Sequence, residues 1–363
     1  MSSNENEIEK VDVLEFIKEH KKQIIISFIA AAILVFALTV VAGLEDVLLV
    51  LERTNLWLFA FSFVLEAGIM LLWTLRWKMI LDLIDESPRF SSLFVMLFAS
   101  LFGNNVTPGA AGGEPLRAYL LREVKGTPFE IGFASSTVDR VFEFLPFIAI
   151  SILSAILILT WDLSIFTRIF ITVLIVLCII FFSLIIYAGI NKEIAQRIIL
   201  SLARSVFPFF LKITRRKINF SDIREKLIFY INRFNLGFST ALKDRKVLIY
   251  GVFLSFGMWG LDMVRLYVCF WAVGIQPPIL PLVIIYTVGI LISLLPLLPG
   301  SLGIREATLV GLFAVAGISA DYVMAASIID RVASYIVPTI IGAFAAFYYG
   351  KIIISENKSK SAK

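Results

Sequence analysis

The sequence predicts an all-α polytopic membrane protein, built as an inverted repeat around two re-entrant helical hairpins. Three observations predict this class. Of the 363 residues, 59% are hydrophobic and 17% charged, with a mean hydropathy of +0.90. Soluble domains carry about 25% charged residues, so this chain lacks the polar surface to coat a core of its size. Apolar stretches of spanning length recur along the chain, and two shorter ones carry Pro-Gly and charged residues at matching places.

The elements follow in order. Residues 1–23 are rich in acids and end in Lys21-Lys22, with no small-residue cleavage site behind them. They read as a cytoplasmic segment before an uncleaved first span, 24–44, within a unit 24–55 whose outer loop holds Glu45, Asp46, Glu52 and Arg53. The next span, from residue 56 to about 75, ends at Arg76-Trp77-Lys78, which reads as a cytoplasmic flank. A span needs about 20 apolar residues; the stretch 90–107 is short of that, and Glu114–Lys125 is too charged to cross. Residues 90–125 therefore form a hairpin bending at Pro108-Gly109. A span at 129–160 and a connecting span within 161–190 lead to the loop 191–246. That loop holds 13 Lys/Arg against four acids, which places it in the cytoplasm. Its first part, to Lys217, reads as a basic amphipathic helix on the inner leaflet. A span at 247–275, a second hairpin at 279–318 bending at Pro299-Gly300, a last span at 321–349 and the tail 351–363, with four lysines, complete the chain. The count is six full spans and two hairpins, or eight spans if each hairpin threads through. Both termini lie in the cytoplasm, and the location is the cell membrane.

The hairpins are related in sequence. An offset of 191 carries Pro108-Gly109 onto Pro299-Gly300, Gly112 onto Gly303, and Asp139-Arg140 onto Asp330-Arg331. Glu114 matches Glu306 with one inserted residue, and Arg76 matches Arg265 near the end of the preceding span. The repeat units are 56–160 and 247–350, in opposite orientations by the charge rule. Inverted repeats around broken helices are an architecture of alternating-access transporters.

Bends within hydrocarbon survive only where they are buried in protein or line a wet cavity. Gly109, Gly112 and Gly113 allow the first turn, and Glu114-Pro115 suits the start of a return helix with proline first. Such helix starts attract anions, a lipid phosphate among them. Around the turns lie Asn104, Asn105, Glu114 and Arg117, then Gly303, Arg305 and Glu306. Ionisable groups at membrane depth cost roughly 2.5–3.5 kcal/mol each by insertion scales, so they face a cavity or a partner. Val141–Trp161 can span unaided, which puts Asp139-Arg140 at one membrane edge and Asp330-Arg331 near the other, as mouths of a pathway or as snorkelling anchors. Each arginine is expected to pair within its own repeat: Arg140 with Glu143 or Glu114, Arg331 with Glu306. Glu66 is a further charge inside a span, and Asp262 and Arg265 share a helix face where they can neutralise each other. Trp57, Trp73, Trp77 and Trp161 lie near span ends, as aromatic belts do.

The single histidine and two cysteines form no Cys/His cluster, so no cofactor or metal is expected. The basic balance points to anionic lipid rather than nucleic acid.

The run Asn104-Asn-Val-Thr-Pro-Gly-Ala-Ala-Gly-Gly-Glu-Pro-Leu-Arg-Ala-Tyr-Leu-Leu121 resembles a signature of the flippase-like transmembrane domain of lysylphosphatidylglycerol synthases. Asp139-Arg-Val-Phe-Glu143 is similar to that family's acid-Arg-x-x-acid element, with Asp and Glu exchanged. Pro299-Gly-Ser-Leu-Gly-Ile-Arg-Glu306, followed by Asp330-Arg331, resembles its second signature, with Ser301 where a second glycine is common. The resemblance implies translocation of a polar-headed phospho- or glycolipid, without the aminoacyltransferase domain. It also implies membrane lipids as partners, together with a separate lipid-modifying or glycosyltransferase enzyme. An intramembrane transferase acting on a lipid-linked phosphate, or a non-transporting partner of such an enzyme, is the alternative.

Overall fold

The computed structural model describes residues 29, 32–107, 112–158, 164–214, 220–293 and 301–361. Both Pro-Gly bends, Pro108-Gly109 and Pro299-Gly300, lie outside the described residues, as do Trp161 and the start of the first span. Among the described residues every regular element is helical: α1 (Ala32–Val41), α2 (Leu44–Glu52), α3 (Leu56–Asp82), α4 (Phe90–Val106), α5 (Gly113–Lys125), α6 (Phe129–Leu157) and α7 (Ile165–Ile190). They continue with α8 (Lys192–Thr214), α9 (Phe220–Lys243), α10 (Arg245–Ala272), α11 (Ile279–Ser293), α12 (Ile304–Val315) and α13 (Ala320–Arg331). A π-turn, Val332–Ile336, joins α13 to α14 (Val337–Ser361).

Among the described residues, four helical stretches are long and apolar enough to cross a membrane: α3, α6, α10 and the run Ala320–Gly350. The first expected span differs from the straight rod at 24–44. Gly43, at φ +93, lets the chain turn by 94° between α1 and α2, and α2 occupies what reads in sequence as an outer loop.

The helices of residues 90–125 and 279–318 have 17, 13, 15 and 12 residues, each short of a span. The two open ends of the first hairpin lie together. Lys125 Nζ donates to the Ser87 carbonyl at 3.5 Å and Thr127 Oγ1 to Glu86 Oε2 at 2.5 Å. In the second, Leu309 of α12 packs against Gly289 of α11.

The helices α3 and α10 form the central antiparallel pair. Arg76 Nη1 of α3 donates to Ser255 Oγ of α10, and Arg265 Nη1 of α10 donates to Glu66 Oε2 of α3. Gly68 faces Leu261, and Gly257 faces Leu72. All four α3 positions map onto their α10 counterparts at one offset, 189 residues. Each contact is thus answered by its exchanged copy, the arrangement a two-fold axis produces. Where apolar lipid supplies no driving force for helix association, small residues at such crossings gain dispersion contact by letting backbones approach.

Two assignments of span ends change accordingly. The helix α3 runs past residue 75 to Asp82, so Arg76 and Trp77 are fully buried instead of forming a flank. Asp139 is ten residues into α6, about 15 Å from its start, and fully buried. The basic loop holds two amphipathic helices, and α9 packs against α6 through Phe133, Phe234 and Phe238 and through an Arg233–Glu130 ion pair at 2.6 Å.

Candidate functional site: two polar clusters in the helix bundle

The first cluster is built on Asp139. Its Oδ1 accepts from Arg76 Nε at 2.6 Å; its Oδ2 accepts from Arg117 Nη1 at 2.7 Å and from Trp73 Nε1 at 2.6 Å. Asp139, Arg76 and Arg117 are all fully buried. The Arg117 guanidinium lies 5.4 Å from the Trp73 ring centroid and 5.2 Å from that of Trp77, so aromatic faces replace water around a desolvated cation. These two tryptophans are therefore not belt residues. Trp77 also donates to Ser135 Oγ at 3.2 Å.

Outside this closed centre sits a partly exposed rim. Glu114 Oε1 accepts from Arg140 Nε at 2.8 Å and lies 2.7 Å from Nη2, while Arg140 Nη1 lies 3.5 Å from Glu143 Oε2. Helical spacing produces both layers: Asp139 and Glu143 are one turn apart on α6, and Glu114 and Arg117 are three residues apart on α5. The side chains of Arg140 and Glu143 keep 25% and 21% of their surface exposed.

The second cluster repeats the bonding pattern. Asp330 Oδ1 accepts from Arg265 Nε at 2.9 Å, and its Oδ2 lies 3.3 Å from Arg305 Nη1. Arg331 Nε donates to Glu306 Oε1 at 2.5 Å, as Arg140 Nε does to Glu114. Both pairings are those expected within each repeat. The second arginine on each aspartate comes from the return helix in both cases, although Arg117 follows its glutamate by three residues and Arg305 precedes its own by one.

The clusters also differ. Arg265 meets three carboxylates at once: Asp330, Glu66 at 2.5 Å and Asp262 at 2.5 Å. Asp262 also accepts from the Tyr286 hydroxyl at 2.5 Å. The Asp262–Arg265 pair is thus one edge of a larger network. At the offset that relates α3 to α10, Glu66 stands opposite Ser255 and Asp262 opposite Trp73. Because α3 carries both Glu66 and Arg76, ten residues apart, the clusters lie about 15 Å apart along the central pair. Asp139 and Asp330 are both buried inside the bundle.

The hairpin tips are held by the protein's own side chains. Asn104 Oδ1 accepts from the Gly113 N–H at 2.7 Å, and Thr107 Oγ1 from the Gly112 N–H at 2.9 Å. Glu306 Oε2 accepts from the Gly303 N–H at 2.6 Å. The first return helix begins at Gly113, so Pro115 is its third residue, not its first. Three amides at these helix starts, those of Gly112, Gly113 and Gly303, are occupied by Thr107, Asn104 and Glu306. Asn105 bonds elsewhere: Nδ2 donates to Thr339 Oγ1 at 2.6 Å, and its carbonyl accepts from the Tyr335 hydroxyl at 3.1 Å. Ser301 lies at φ +53, in the left-handed region that favours glycine, and its hydroxyl donates to the Ser293 carbonyl.

The structure thus brings Arg76, Glu114, Arg117, Asp139, Arg140 and Glu143 into one cluster, and Asp262, Arg265, Arg305, Glu306, Asp330 and Arg331 into the other. It places Asn104, Asn105, Gly112, Gly113 and Gly303 in the hairpin supports. Trp73, Trp77, Ser255, Tyr286, Tyr335 and Thr339 join from outside the sequence-derived set. Among the described residues, several buried donors have no hydrogen-bond acceptor: Arg117 Nε and Nη2, Arg305 Nε and Arg331 Nη2. Among the described residues, no group of three His, Cys, Asp or Glu could hold a metal ion.

Residues 24–342 match the family described as the lysylphosphatidylglycerol synthase TM region. A UPF0104 membrane protein of Methanothermobacter thermautotrophicus is 62% identical over 96% of this chain and 99% of its own length. UPF0104 membrane proteins of Pyrococcus horikoshii and Methanocaldococcus jannaschii are 26% and 25% identical. They cover 87% and 89% of this chain and 94% and 92% of their own lengths.

Proposed function

Because the chain belongs to the lysylphosphatidylglycerol synthase transmembrane-region family, we propose that it carries a polar-headed phospho- or glycolipid between the leaflets of the cell membrane. One observation supports this most. The fold holds two related polar clusters, about 15 Å apart along α3 and α10, each with a closed Asp–Arg–Arg centre and an Arg–Glu pair beside it, the pair of the first cluster partly exposed. A head group crossing hydrocarbon needs polar partners at more than one depth. The two layers, one from each hairpin, supply them in sequence. The guanidinium N–H groups left without acceptors are suited to phosphate oxygens.

The geometry favours transport over lipid chemistry. Each carboxylate of the clusters has a guanidinium within 2.5 to 3.5 Å, so it is engaged by the protein's own cations instead of being presented to a reacting lipid.

The test is leaflet exchange of fluorescent phospholipid and of glycolipid in liposomes holding the purified protein. Wild type is expected to exchange one of the two classes, and Arg140→Ala and Arg331→Ala to slow it at least about tenfold, the equivalent of one charge-assisted hydrogen bond to the head group. Liposomes that exchange neither class overturn the proposal, and a covalently altered lipid assigns the transferase reading instead.

A further inference from the structure

The two clusters differ in charge. In the first, three carboxylates (Glu114, Asp139, Glu143) meet three guanidiniums (Arg76, Arg117, Arg140). In the second, four carboxylates (Glu66, Asp262, Glu306, Asp330) meet three guanidiniums (Arg265, Arg305, Arg331). The surplus has a definite origin: the two-fold relation sets Glu66 and Asp262 opposite the neutral Ser255 and Trp73. An uncompensated charge buried among helices costs several kcal/mol even after relaxation.

We propose that the second cluster binds one exchangeable proton, held by Glu66 and Asp262. The two acids compete for one guanidinium, which already serves Asp330 through Nε. Asp262 has a second donor in Tyr286, so the proton resides mainly on Glu66. The titratable groups that face the pair are Arg265 on α10, Tyr286 on α11, Arg305 on α12 and Asp330 on α13. Arg305 and Arg331 are each already bonded to an acid of their own, Asp330 and Glu306. A metal cation beside Arg265 would meet a fixed positive charge, whereas a proton removes the surplus without one. The side chains of Glu66 and Asp262 keep 12% and 20% exposure, which leaves the pair a route by which a proton can arrive. If the lipid-carrier reading holds, this proton is its coupling ion, and that step rests on the reading.

Infrared difference spectroscopy of the purified protein in phosphatidylglycerol nanodiscs, titrated with base, tests the site directly. Wild type is expected to show one protonated carboxyl band near neutral pH that is lost as pH rises. Either Glu66→Gln or Asp262→Asn equalises the charges and is expected to abolish the band, so one variant suffices if the other fails to fold. Absence of the band in wild type, or its survival in both variants, overturns the proposal. Liposomes read the coupling separately: one pH unit across the membrane biases the lipid distribution about tenfold in wild type and not in Glu66→Gln. A lipid that moves without regard to the gradient refutes the coupling while leaving the carrier reading intact. With no lipid movement at all, the carrier reading fails and the band still decides the proton site.

Discussion

Replacing Asp139 by asparagine keeps its shape and removes one charge. Three donors converge on this buried carboxylate, two of them guanidinium groups. After the change, Arg76 retains the Ser255 hydroxyl and a carboxylate at 3.8 Å, and Arg117 retains Glu114 at 3.6 Å. Two buried cations are then underpaired, and breaking a buried pair from one side costs about 3–5 kcal/mol. The matching change, Asp330→Asn, acts on a cluster with a carboxylate to spare. Arg265 keeps Glu66 and Asp262, and Arg305 alone loses its bonded carboxylate, so the loss is nearer that of hydrogen bonds to a charged group, about 1.5–3 kcal/mol. Reversible unfolding of both variants in bicelles measures the difference. Asp139→Asn should be the more damaging by about 1–2 kcal/mol. Equal losses, or a greater loss for Asp330→Asn, would show that the uneven charge count does not govern these clusters.

Other outcomes follow from the packing. A methyl at Gly342 would collide with the Phe98 carbonyl oxygen where α14 crosses α4, so Gly342→Ala should cost about 1–3 kcal/mol in the same unfolding assay. Phe238→Ala should loosen α9 by about 3–5 kcal/mol, whereas Arg233→Ala, at a 38% exposed ion pair, should cost under about 1 kcal/mol and less in high salt; proteolysis within the basic loop reads both. Cysteines placed singly at Ser87 and Thr127 should label with an impermeant thiol reagent from the same side of sealed vesicles, because the ends of the first hairpin lie together. Labelling from opposite sides would mean that the segment between them crosses the bilayer once and forms no hairpin.

The outline of this fold is written in one dimension. Apolar runs mark α3, α6 and α10, stretches too short to cross mark the hairpins, and an offset of 189 to 192 residues marks the related acids and arginines. The pairs Arg140–Glu114 and Arg331–Glu306 follow from that offset, because a charge within each unit needs a partner nearby. The interior of the central pair is less legible. Arg76 reads as the end of a span because an arginine in hydrocarbon is costly; it lies inside because Asp139 and Ser255, 63 and 179 residues away, accept its protons. Trp73 and Trp77 follow it inward for the same reason and become the walls of the Arg117 site. The exchange that sets Glu66 against Arg265 joins residues from different units, which no local pattern reveals. The turn at Gly43 shows in sequence only as a glycine.

The widened turn at Val332–Ile336 gives the last rod two allegiances. Immediately before it, Asp330 and Arg331 grip the second hairpin; within and just after it, Tyr335 and Thr339 grip Asn105 at the tip of the first. An extra residue per turn rotates the side chains that follow, so one rod can face both partners. A tilt of either hairpin would then be felt by the other as torque on a shared axle, and the two halves would rock in step.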